Sequence, residues 1–151
     1  MGRFYEELEV GQRFETPRRT VIAADISTFA GLTADFNPLH MDEIFARESD
    51  FGGRITHGPM IVGMAFGLAS RADLMDGTVL GLLEIAWKFM KPVRPGDTIS
   101  VIVDITEKRI TKKPDRGVVG LRLDIRNQDN EAVQLGDAKV LVRLKNPQVI
   151  V

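Results

Sequence analysis

"PMIVGMAFGLASRADLM", residues 59–75, carries no polar side chain before Ser70 and no charge before Arg71. A helix that is apolar on every side needs burial on every side, and that requirement decides the fold. Gly63 and Gly67 stand four apart on one face, where they weaken the helix but let another backbone approach closely. Met60, Met64, Phe66 and Leu68 at helical spacing read as core rather than as a pocket lining. The breaker cluster "GGRITHGP" (52–59) precedes the helix, and Pro59 suits a first helical turn, where its missing N–H costs nothing.

The second half of the chain supplies the cover. "VLGLLEIAWKFMKPV" (79–93), "DTISVIVDITEKRI" (97–110), "GVVGLRLDIRNQD" (117–129) and "EAVQLGDAKVLVRLK" (131–145) read as strands rich in Val, Ile and Leu. The links "RPGD", "TKKPDRG" and "NQDNE" are turn chemistry, and such short links predict antiparallel hairpins. The expected fold is α+β, with an antiparallel sheet curled around a long central helix. A half-wrapped helix leaves apolar surface and a sheet edge, so a homodimer is expected to complete the burial.

Upstream, "GQRFETPRRTVI" (11–22) reads as a short strand or edge, "AADISTFAGLTAD" (23–35) as a short amphipathic helix, and "MDEIFARESDF" (41–51) as another. No repeat or linker appears, so residues 1–151 are expected to form one domain. With net charge −1, no global field draws nucleic acid or an anionic membrane. The absence of cysteine excludes disulfides, thiolate nucleophiles and cysteine-based zinc sites. There is no apolar run long enough to span a membrane, and "MGRFYEELEV" does not resemble a secretory signal, so a cytoplasmic location is expected.

"TADFNPLHMD" (33–42) is the densest polar chemistry in the chain. On spacing alone it reads first as a turn: Asn37-Pro38 initiates one, and Asp35 or Asp42 caps a helix. The functional reading uses the same residues differently. Asp35 and His40 lie five apart on a segment whose proline interrupts regular helix, so both side chains can converge on one cavity. A carboxylate and an imidazole are the usual pair for moving protons near neutral pH. Gly58, at the start of the buried helix, offers a free backbone N–H and the positive end of the dipole to a developing oxyanion. His57 beside it either packs or donates a hydrogen bond. Asp35, His40, Asp42 and His57 also make a conceivable metal set. With two histidines in all, and neither H-x-x-x-H nor HExxH spacing, no metal is expected.

"ADFNPLHMD", then "GGRITHGPMIVGMAFGLAS" and "WKFMKPVRPGDTISV", together resemble the MaoC-like dehydratases, the hydratase-2 group that includes (R)-specific enoyl-CoA hydratases. The similarity runs from about Phe14 to Leu144. It implies a hot-dog fold, dimers or dimers of dimers, and an acyl-CoA or acyl-carrier-protein thioester as substrate. It assigns Asp35 and His40 as the catalytic pair, with Asn37, His57 and Gly58 around the substrate. No cofactor is implied, because CoA arrives as part of the substrate. Lys88, Lys91 and Arg94 are the cations within reach of CoA phosphates, although such residues are usually solvated strand ends. Two positions depart from the pattern. Gly63 stands where members often carry a helper serine, and Ala34 replaces a frequent glycine. A hot-dog thioesterase and a non-catalytic acyl-thioester-binding subunit are the alternatives.

Overall fold

The computed structural model describes residues 1–147. A single helical turn, Tyr5–Glu7, leads into short strands β1 (Arg13–Glu15) and β2 (Arg19–Thr20). Helices α1 (Ala23–Thr33), α2 (Pro38–Met41), α3 (Glu43–Glu48) and α4 (Gly58–Arg71) come next. Strands β3 (Val79–Phe89), β4 (Thr98–Ile110), β5 (Arg116–Arg126) and β6 (Ala132–Arg143) complete the chain.

The sheet is antiparallel, in the order β1-β4-β5-β6-β3, with β2 also on β4. The hairpin expectation holds for β4–β5 and β5–β6 and fails for β3–β4. Those two strands are consecutive in sequence yet lie on different sides of the β5–β6 hairpin. The proline-containing link 90–97 cannot supply a continuous ladder of N–H donors and instead runs across the end of the sheet. Its Val93 carbonyl accepts from the Thr56 N–H at 2.8 Å, just before α4 begins.

In β4 the inward residues alternate strictly: Ile99, Val101, Val103 and Ile105 are buried while their neighbours are half-exposed. α4 lies across this face and buries Met60, Ile61, Ala65, Leu68 and Ala69. A fully covered Ile61 side chain contributes roughly 1.5–3 kcal/mol over an exposed one. This is the hot-dog arrangement, a helix cupped by an antiparallel sheet.

The cover is incomplete within one chain. Gly63 and Gly67 are exposed, and Met64 and Phe66 are only half-buried, so one side of α4 remains open. β3 likewise exposes Leu82, Leu83, Ile85 and Phe89. The requirement for burial on all sides therefore holds for the sequence but is not met by the single chain.

Candidate active site

The segment 33–42 is not the plain turn that its proline suggests. Pro38 occupies the first turn of α2, where a missing N–H is harmless, and so opens a short helix instead of blocking one. Asn37 caps it, its Oδ1 accepting from the Leu39 N–H at 3.0 Å. Asp42 caps α3, its carboxylate accepting from the Ile44 and Phe45 N–H groups at 3.0 Å each. Asp42 is thereby spent on local structure.

Asp35 comes after an unusual residue. Ala34 ends α1 in the left-handed conformation, with φ 61° and ψ 18°. A side chain there costs roughly 1–2 kcal/mol relative to glycine, and such strain gathers at functional sites. Alanine in place of the frequent glycine is thus a strained position directly before the candidate acid. Asp35 Oδ1 accepts from the Asn37 N–H at 3.2 Å, and the carboxylate stays half-exposed.

His40, on α2, is half-buried, and its Nδ1 lies 2.9 Å from the Ile55 carbonyl oxygen. A carbonyl only accepts, so Nδ1 carries the hydrogen and Nε2 presents a bare lone pair. His57 is 1% exposed, with its Nε2 2.9 Å from the Asp35 carbonyl oxygen and 4.0 Å from Asp35 Oδ2. Its ring packs on the His40 ring at 3.9 Å between centroids and on Phe29 at 4.9 Å. One polar atom from each of Asp35, His40 and His57 lies within 4.8 Å of the others. That spacing would also admit a divalent cation, although each imidazole already commits one nitrogen to a backbone carbonyl.

Gly58 opens α4, and among the described residues no protein acceptor engages its N–H. The Phe89 ring lies over Gly58, so close that a β-carbon there would meet Phe89 Cε1 at 2.9 Å. Behind Gly58, Gln134 Nε2 donates to the Gly58 carbonyl at 3.3 Å, and Gln134 Oε1 accepts from the Trp87 indole at 2.8 Å. Gln134, almost fully buried, escaped the sequence reading. Its signal was an amide on the otherwise apolar inward side of a strand, which demands buried partners. The Ile55 carbonyl had no side-chain signal at all.

Two hollows flank this cluster. One of about 440 Å³ runs between α1 and α4 and holds Gly63, Met60 and Met64. One of about 340 Å³ holds His40, Gly58, Phe89 and Gln134. Chemistry favours the smaller, since it alone contains both the imidazole and the helix-start N–H. Met60, Met64 and Leu68, expected as core, line the larger hollow, although Met60 and Leu68 are also nearly fully buried.

The three cations within reach of substrate phosphates have different surroundings. Arg94 donates to the Phe51 and Gly53 carbonyls, strapping loop 49–55 to the β3–β4 link. Lys91 pairs with Glu131, whose carboxyl is held below its usual range by hydrogen bonds from Lys91 and Asn127. Lys88 is exposed and forms no ion pair among the described residues.

Residues 6–125 match the family described as the MaoC like domain. The chain belongs to the MaoC-like family. The (R)-specific enoyl-CoA hydratase of Aeromonas caviae is 32% identical over 135 residues, covering 89% of this chain and 96% of that protein. Protein MaoC of Klebsiella aerogenes is 41% identical over 114 residues, covering 76% of this chain, but the chain spans only 33% of that longer protein. Among solved structures, the MaoC-like dehydratase from Rhodospirillum rubrum superposes with a TM-score of 0.86 at 35% identity, covering 96% of this chain and 99% of that one.

Proposed function

We propose that this protein is a hydro-lyase that adds water to a trans-2-enoyl thioester to give the (R)-3-hydroxyacyl product, or runs the reverse dehydration. The observation that carries the reading is the pinned His40 tautomer: with Nδ1 bonded to Ile55, Nε2 is the nitrogen left to accept a proton, on a ring that has one nitrogen within 4.8 Å of the Asp35 carboxylate.

In this scheme the Gly58 N–H binds the thioester oxygen and makes C3 electrophilic. Asp35 and His40 hold a water against C3. As its oxygen bonds to C3, Nε2 of His40 takes a proton, and the C2–C3 π pair moves toward the thioester to form an enolate at the Gly58 N–H. Nε2 then returns the proton to C2, which restores neutral His40 and completes the addition of one water. Both additions come from the dyad's side, which predicts syn geometry. Asn37 shapes the loop that presents Asp35. The scheme needs no metal or redox cofactor, and CoA or acyl-carrier protein enters with the substrate.

The unpaired apolar edge at β3 supports a homodimer, because an exposed hydrophobic edge strand is otherwise an aggregation liability. A cytoplasmic setting accompanies this reading. Among the described residues no helix is long and apolar enough to cross a membrane.

The test is turnover of crotonyl-CoA, measured as loss of enoyl-thioester absorbance. Asp35→Asn and His40→Ala should each lower kcat by about 10²–10⁴-fold with unchanged melting temperature. Wild-type rates in both variants refute the dyad. Release of free CoA thiol, readable because the chain has no cysteine, indicates a thioesterase instead.

A further inference from the structure

His57 is the one buried imidazole in the molecule, and the proposed reaction gives its side chain no task. It occupies the N-cap position of α4 without capping it: the side chain bonds no backbone N–H of its own helix. Its Nε2 bonds the Asp35 carbonyl instead, 22 residues away in sequence, and since that oxygen only accepts, Nε2 carries the hydrogen. Nδ1 is buried and has no partner among the described residues. With Nε2 as the donor, Nδ1 is the bare nitrogen of the neutral ring.

The bonded carbonyl belongs to the residue after the left-handed Ala34. A strained turn keeps its shape only where its surroundings over-determine it. The other ties are a 3.4 Å contact from the Asp35 N–H to Thr33 Oγ1 and the 3.2 Å Asx bond to Asn37. At 2.9 Å, the His57 bond is the shortest of the three and the one that comes from another element. The same ring packs against Phe29 and His40. Its own peptide leads into the Gly58 N–H.

We propose that His57 is the positioning residue of this site. One rigid ring fixes Asp35 through its backbone, backs the plane of His40, and ties both to the helix start that supplies the oxyanion donor. In this assignment His57 acts through Asp35 and His40 and not, as the family resemblance implies, on the substrate itself. The kinetic side of this inference rests on the hydratase reading; the structural side does not.

Three variants separate reach from ring. Gln at 57 can place an amide N–H where Nε2 stands, Asn ends one atom short, and Phe keeps the ring without the donor. Misplacing a catalytic group by about 1 Å costs about 100-fold. His57→Phe and His57→Asn should therefore lose about 100-fold in kcat with KM within about threefold, while His57→Gln stays within about tenfold of wild type. Melting temperatures measured alongside show whether each variant folds, and the Gln–Asn contrast decides the matter if the Phe variant does not. Equal kcat in Gln and Asn, or a loss confined to KM, overturns the proposal.

Nitrogen NMR of histidine-labelled protein provides a readout independent of turnover, since the chain holds only two histidines. The two rings should show opposite neutral tautomers, Nε2–H for His57 and Nδ1–H for His40. A matching pair overturns the proposal even in an active enzyme. A wild-type protein inert on every enoyl thioester refutes the hydratase reading and leaves the tautomers to decide this one.

Discussion

Adding one methyl group at Gly136 should unseat the support behind the proposed oxyanion donor, the Gly58 N–H. Gly136 pairs across the sheet with Trp87, and the indole lies against it. An alanine β-carbon at 136 would sit 2.0, 2.1 and 2.6 Å from Trp87 Cζ3, Cε3 and Cδ2, far inside any normal contact. The backbone pairing on both sides of β6 leaves the strand little room to move, so the indole has to leave. Overpacking of this kind costs roughly 1–3 kcal/mol. Losing the indole bond to Gln134 leaves a buried amide oxygen unpaired, adding roughly 1–3 kcal/mol. Together Gly136→Ala should lose about 2–6 kcal/mol in urea unfolding at constant m-value, summing those two ranges. The double variant Gly136→Ala with Trp87→Leu should recover part of that loss, because the clash is with the indole. A single variant within about 0.5 kcal/mol of wild type, the size of an ordinary surface change, refutes the reasoning. So does a double variant whose losses simply add.

Ala34→Gly should raise stability by roughly 1 kcal/mol in the same unfolding assay, because glycine adopts the left-handed turn without strain. Gly63→Ala, with nothing within 4 Å of its added carbon, should stabilise by roughly 0.5–1 kcal/mol; a destabilised protein would instead show that a second copy packs on that face. Replacing exposed Ile85 on β3 with Lys should shift the protein to monomer in size-exclusion chromatography if that edge pairs two copies. The Arg13 hydrogen bond holds the Asp104 carboxyl below the usual carboxylate range, so its stabilisation is present above the ordinary aspartate pKa and fades as pH falls through the lower folded value. Arg13→Gln should therefore cost stability at neutral pH and progressively nothing in acid, measured as the wild-type–variant difference in melting temperature across a pH series.

Much of the architecture was legible because burial is written in period and composition. The all-apolar stretch around Ile61 and Leu68 demanded a covering layer, and the alternation from Ile99 to Ile105 supplied it. Strand order was not legible, since link length constrains neighbours only when the link is a true hairpin. The 90–97 segment is short enough for one yet crosses the sheet end, held by backbone bonds that no side chain announces. The same blindness hid the carbonyls of Ile55 and Asp35, which set both imidazole tautomers. Sequence offered Asp35, His40, His57 and Gly58 as residue types, but only the fold shows which nitrogen of each ring is free.

That distinction explains why the chemistry gathers where α4 starts. Helix starts leave N–H groups without partners, and extended segments crossing them bring carbonyls that need donors. Here the carbonyls of Asp35 and Ile55 take the two imidazole donors, while the Gly58 N–H has no acceptor among the described residues. The Gln134 amide secures the carbonyl side of Gly58 without consuming that N–H. Each of these backbone groups is thus either satisfied by a side chain that thereby acquires one orientation, or left open where charge develops in the proposed reaction. Helix capping by Asn37 and Asp42 belongs to the same division of labour: both satisfy local N–H groups and leave the Asp35 carboxylate half-exposed beside His40. A segment that reads as turn chemistry by composition can therefore hold a site, because the capping residues and the proposed reacting residues are different members of it.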